Sequence, residues 1–183
     1  MLEFTRKDRK LVYDSKVVSL YNDYLITPDG KEVVYDFIKH KSGGGAGILL
    51  VDDEECTYLV KQYRNSIDRV NMEIPAGAYS ETGESGEACA LREGEEETGL
   101  LAGRIFHVSR SVSAIGTFDE TTDIYIGLDI KKGHTSYDQH EYIDVVRLPV
   151  EEAIEAVYSG DIVDSKTVIA LLAYKDMKSR GIF

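Results

Sequence analysis

Four glutamates fill four of five consecutive positions in this 183-residue chain, Glu93, Glu95, Glu96 and Glu97, with Arg92 directly before them. On a helix turning about 100° per residue, Glu93, Glu96 and Glu97 share one face, while Ala88, Leu91 and Gly94 point the other way. Like charges at this spacing cost about 0.2–0.5 kcal/mol per pair, and carboxylates late in a helix also oppose its dipole. Two arrangements meet that cost: a solvated acidic face, or a face that holds a cation. Oxygen-only donors suit hard ions such as Mg2+ or Mn2+, whereas zinc is usually accompanied by His or Cys. The nearest histidine, His107, falls in a strand-type run and is expected to pack rather than coordinate.

The elements around these residues follow from periodicity and turn chemistry. A helical pattern runs from Gly83 to Thr98, with Gly99 as its stop. Upstream, "KVVSLYNDYLITPDGKEVVYDFIKHK" reads as a hairpin about Pro28-Asp29-Gly30, and "ILLVDDEECTYLVKQYR" as a second about an acidic turn. Between them "SGGGAG", Ser42 to Gly47, lacks the Lys and Ser/Thr of a P-loop and reads as a loop between subdomains. Downstream, "RIFHVSRSVS" and "TDIYIGLDI" are strand-type runs separated by "AIGTFDET". "DVVRLPVEEAIEAVYSG" passes from strand to helix at Pro149, and "DSKTVIALLAYKDMKSRG" is a helix capped by Asp164 or Ser165. Strands with helices on either side predict an α+β or sandwich-type domain.

Composition narrows the function. Lys and Arg total 21 against 33 Asp and Glu, a formal net charge of −12. Such a field repels a polyanionic backbone, so no nucleic-acid partner is expected; a small anion remains compatible if cations bridge it to the protein. No apolar run approaches the roughly 20 residues of a membrane span, and Met1-Leu-Glu-Phe-Thr-Arg lacks the apolar run of a secretory leader. No membrane association and a cytoplasmic address are expected. Cys56 and Cys89 have no metal-type spacing and are expected to be reduced thiols.

Read from Pro75 to Leu100, "PAGAYSETGESGEACALREGEEETGL" resembles the signature of the Nudix hydrolases. Glu84, Arg92, Glu93, Glu96, Glu97, Gly99 and Leu100 fall in register, with seven residues between Glu84 and Arg92. Two positions depart from the pattern. Six residues rather than the usual five separate Gly77 from Glu84, and Gly94 stands where the family has a bulky aliphatic residue. The segment "KQYR" followed by "MEIPAG", and "DSKT" near the C-terminus, are similar to the branch that cleaves ADP-ribose and related nucleotide sugars.

The resemblance implies a Nudix fold, an α/β/α sandwich with a mixed sheet, over residues 43–183. It also implies a small N-terminal antiparallel sheet over residues 1–42 through which two copies would pair. The implied reaction is Mg2+- or Mn2+-dependent hydrolysis of the diphosphate bond of a nucleoside diphosphate sugar, most readily ADP-ribose to AMP and ribose 5-phosphate. Alternatives are GDP-mannose or another such sugar, or a non-catalytic metabolite sensor. By position, Glu93, Glu96, Glu97 and the Ala76 carbonyl would be metal ligands, Arg92 would orient the glutamates, and Glu84 would brace the loop. Glu120, in "AIGTFDET", would be the general base, with Glu141 either its assistant or merely a salt-bridge partner. Arg64 is a candidate for a bidentate diphosphate contact, or else a partner of Glu73.

Overall fold

The computed structural model describes residues 2–80, 83–136 and 142–183, so Glu141 lies outside the described residues. The chain divides into two compact units, Met1–Gly44 with Val112–Thr121, and Gly45–Ser111 with Thr122–Phe183.

In the first unit, β1 (Thr5–Asp14), β2 (Val18–Ile26) and β3 (Glu32–His40) form a three-stranded sheet in that order, both pairings antiparallel. The expected hairpin about Pro28-Asp29-Gly30 joins β2 to β3: Gly30 adopts φ 85°, and its N–H donates to the Thr27 carbonyl at 2.9 Å. Residues 114–119 are stitched to β3. The Ile38 N–H donates to the Thr117 carbonyl at 2.7 Å, the Asp119 N–H to the Ile38 carbonyl at 3.2 Å, and the His40 N–H to Asp119 Oδ1 at 2.7 Å.

The larger unit is built on a seven-stranded sheet. Its main path runs β12 (Asp144–Pro149), β5 (Cys56–Arg64), β4 (Gly44–Val51), β10 (Thr121–Leu128), β9 (Arg104–Val112), with β6 (Arg69–Glu73) on β5 and β7 (Ala76–Ala78) on β4. A two-stranded ribbon pairs β8 (Leu100–Leu101) with β11 (Lys131–Lys132). The helices are α1 (Gly86–Thr98), α2 (Val150–Ser159) and α3 (Ser165–Ser179).

The uninterrupted apolar run of β4 explains the layering, because a strand buried on both faces needs no polar alternation. Ala46, Ile48 and Leu50 join Cys89 and Ala90 of α1 in one core cluster; Leu49 and Val51 join Ala153 and Ile154 of α2 and Ala170 and Leu171 of α3 in the other. Neighbouring β10 divides in the same way, with Tyr125 on the α1 side and Ile124 and Ile126 on the other. The result is the sandwich fold expected, with helix layers on both faces of the sheet.

α1 begins three residues later than its pattern suggested. Gly83 lies outside it at φ 76°, and Ser85 caps it by accepting the Ala88 N–H at 3.1 Å; Gly99 at φ 70° ends it as expected. Asp164 rather than Ser165 caps α3, its side chain accepting the Thr167 N–H. β6 and β7, five and three residues long, were not anticipated, since strands that short carry almost no periodicity.

Candidate functional site

The glutamate face of α1 is organised by Arg92. Its Nη1 donates to Glu93 Oε1 at 2.7 Å and to Glu96 Oε2 at 2.8 Å, while Nη2 reaches Glu84 Oε1 at 2.8 Å and the Ala78 carbonyl at 3.2 Å. One planar guanidinium thus ties two helical carboxylates to the loop that precedes the helix, offsetting part of their mutual repulsion. Glu84 accepts Nε of Arg92 as well, at 3.2 Å, and the Ser80 N–H at 2.7 Å. Beside Arg92, and with the backbone N–H of Ser80, its carboxyl is held down to about 2.

Glu97 lies on the same helix face, is buried, and accepts the Ala76 N–H on Oε2 at 3.2 Å. Ala76 is set by pairing of β7 with β4, where Gly47 opposes Ala76 and Gly45 opposes Ala78. The approach there needs small residues: a Cβ on Gly77 would overlap the Glu93 carboxylate. Gly94 has a related cause, since a Cβ there would stand 2.9 Å from Ile48 Cγ2. Ile48 of β4 fills the space that the family's bulky residue would occupy. Cys89 is buried beneath β7, with Sγ 3.6 Å from the Gly77 carbonyl, and burial pushes its thiol up to about 11; it is a packing residue, not a nucleophile.

Arg64 forks onto Glu73, Nε to Oε1 at 2.8 Å and Nη2 to Oε2 at 2.7 Å. Lys166 Nζ adds a third bond to Glu73 Oε2 at 2.7 Å. Burial by itself would raise the carboxyl, but Arg64 and Lys166 overcome it and hold Glu73 down to about 2. Glu120 belongs to the first unit. It accepts the Ser113 hydroxyl at 2.9 Å and stands 3.8 Å from His40 Nε2.

Sequence reasoning missed two supports. Tyr79 donates to Asp123 Oδ2 at 2.7 Å, and Arg110 forks onto the same buried carboxylate, which fastens the chain just beyond β7 to β10. Lys166 and Thr167, within the "DSKT" segment, bond to residues 73 and 74. The Tyr79–Asp123 bond spans 44 residues and the bonds from Lys166 and Thr167 span 93, so no local spacing marks them.

Among the described residues, no three His, Cys, Asp or Glu side chains converge as a ready-made metal cluster. Glu84, Glu93 and Glu96 converge instead on the Arg92 guanidinium. The carboxylates of Glu93, Glu96 and Glu97 on this face are nonetheless all hard-oxygen donors, and that chemistry fits a divalent ion such as Mg2+. No helix among the described residues is long and apolar enough to cross a membrane.

The family model described as the NUDIX domain matches residues 41–178. The chain is 32% identical to an ADP-ribose pyrophosphatase of Bacillus subtilis (strain 168), over 89% of this chain and 88% of the relative. It is also 32% identical to a methanol dehydrogenase activator of Bacillus methanolicus, over 87% of this chain and 86% of that one. A solved structure described as an ADP compounds hydrolase superposes with a TM-score of 0.85, covering 100% of this chain and 99% of its own at 20% identity, a likeness of fold.

Proposed function

Since the chain belongs to the NUDIX domain family, we propose that it hydrolyses the diphosphate bond of a nucleoside diphosphate sugar, ADP-ribose foremost, with Mg2+ or Mn2+. Water oxygen bonds to one phosphorus, the P–O–P bridge breaks, and AMP and ribose 5-phosphate leave. One observation carries the reading: Arg92 gathers Glu84, Glu93 and Glu96 beside β7, while Glu97 sits on the Ala76 peptide. The choice of substrate is supported by the activity named for the Bacillus subtilis relative.

In this reading Glu93, Glu96, Glu97 and the Ala76 carbonyl hold the divalent metal, which when bound neutralises diphosphate oxygens and makes water a better nucleophile. Arg92 fixes the orientation of Glu93 and Glu96, and Glu84 braces the loop through Arg92 and the Ser80 N–H. Glu120 takes the proton of the attacking water. Arg64, with a side chain 40% exposed while forked onto Glu73, contacts the diphosphate. The N-terminal sheet, which exposes Leu11, Val12, Tyr13, Val34 and Tyr35, joins two copies of the chain.

The test is product analysis on ADP-ribose, GDP-mannose, UDP-glucose and a dinucleoside polyphosphate, with Mg2+ and then with a chelator. Release of AMP from ADP-ribose that chelation abolishes is the expected result. Preference for GDP-mannose would move the assignment within the class, and binding without turnover of any compound would replace it with a sensor. Glu97→Gln should lower turnover by orders of magnitude, whereas Glu120→Gln should lower turnover with metal binding retained.

A further inference from the structure

Ile74 comes directly after the last residue of β6, beyond its ladder with β5. Its N–H donates to Thr167 Oγ1 at 2.8 Å, and Thr167 is fully buried. The hydroxyl proton of Thr167 is directed at Asp164 Oδ2, 2.6 Å away, so the hydroxyl oxygen is left to accept from Ile74. A second contact is made by Lys166, whose Nζ bridges Asp164 Oδ1 at 2.9 Å and Glu73 Oε2 at 2.7 Å. The first turn of α3 therefore grips two consecutive residues, one by its backbone and one by its side chain. Capping α3 requires neither grip: the Asp164 side chain with the Thr167 N–H suffices for that.

The grip matters because of its neighbours, Pro75 and Ala76. The Pro75 carbonyl accepts the Ile48 N–H at 3.1 Å, and the Ala76 N–H donates to Glu97 Oε2 at 3.2 Å. Proline fixes its own φ, so little torsional freedom separates the gripped Ile74 from Ala76. α3 packs in one core cluster and α1 in the other, yet both reach this short stretch of chain, α3 at 73–74 and α1 at 76.

We propose that Thr167 and Lys166 are positioning residues of the hydrolytic site: they hold residues 73–76 where the Ala76 peptide meets the Glu97 carboxylate. The inference rests on the proposed role of Ala76 and Glu97 as metal ligands. Both act through the segment they anchor, Thr167 through the Ile74 N–H and Lys166 through the Glu73 carboxylate.

Mn2+ binding, followed by loss of the free-ion electron paramagnetic resonance signal, tests this on the full-length protein at a temperature where each variant is folded. Thr167→Val should weaken Mn2+ binding about ten- to a hundredfold and lower kcat for ADP-ribose more than it changes KM, whereas Thr167→Ser should restore both. Lys166→Met should act in the same direction, and it carries the comparison alone if Thr167→Val does not fold. A purely structural role would lower the melting temperature and leave the Mn2+ dissociation constant at the wild-type value, and that result overturns the proposal. Glu97→Gln separates the two levels. If it weakens Mn2+ binding while the Thr167 and Lys166 variants do not, the positioning role alone falls. If Glu97→Gln binds Mn2+ as the wild type does, the ligand reading falls and this inference with it.

Discussion

The carboxylate of Glu93 lies against the Cα of Gly77, so close that a Cβ at residue 77 would overlap both of its oxygens. Gly77 does not have a positive φ, so alanine strains no backbone there, and only the far end of a glutamate side chain has to move. Gly77→Ala should therefore change stability by no more than about 1 kcal/mol while lowering kcat about a hundredfold, since a displacement near 1 Å at a reacting centre has that effect. Denaturant melts beside steady-state kinetics check both halves; unchanged kcat would mean that the Glu93 position is not critical.

Gly94 sets two effects against each other. Alanine gains about 1 kcal/mol of helix propensity, but its Cβ would stand 2.9 Å from Ile48 Cγ2, a β-branch methyl that cannot swing aside. Overpacking of this kind costs about 1–3 kcal/mol, so Gly94→Ala alone should destabilise. In an Ile48→Ala background the methyl is gone, and the same substitution should stabilise. Urea melts of the four proteins in this cycle decide it, and additive effects would show that Ile48 does not account for the glycine.

Arg92 serves Glu84, Glu93, Glu96 and the Ala78 carbonyl with one planar group. A lysine ammonium keeps the charge but not the fork. Arg92→Lys should leave the fold intact and reduce kcat by about a hundredfold with a smaller change in KM. Kinetics indistinguishable from wild type would show that charge alone is required.

Glu73 links stability to pH. Its carboxyl is held at about 2 against an ordinary 4.5, so its contribution is fully present above about 4.5 and is lost as pH falls from there towards about 2. The shift corresponds to roughly 3 kcal/mol. The stability difference between wild type and Glu73→Gln should stay constant at neutral pH and shrink below about 4.5. Urea melts stepped downward in pH would expose a difference that does not shrink, and with it a carboxyl that is not depressed.

The glutamate spacing of α1, the caps at Ser85 and Asp164, the glycine stop at residue 99 and the two hairpins all depend on residues within a few positions of each other. Backbone geometry and short-range bonding determine such features, so the sequence by itself specified the helix, its charged face and the hairpins. The tertiary structure decided which long-range partner each polar group found. Arg64 took Glu73, Lys166 joined the same carboxylate, Thr167 accepted the Ile74 N–H, and Ile48 filled the space above Gly94. The reason is physical: a buried charge or N–H must be satisfied by whatever the fold brings within about 3 Å, and that neighbour is set by sheet register and helix packing rather than by separation along the chain.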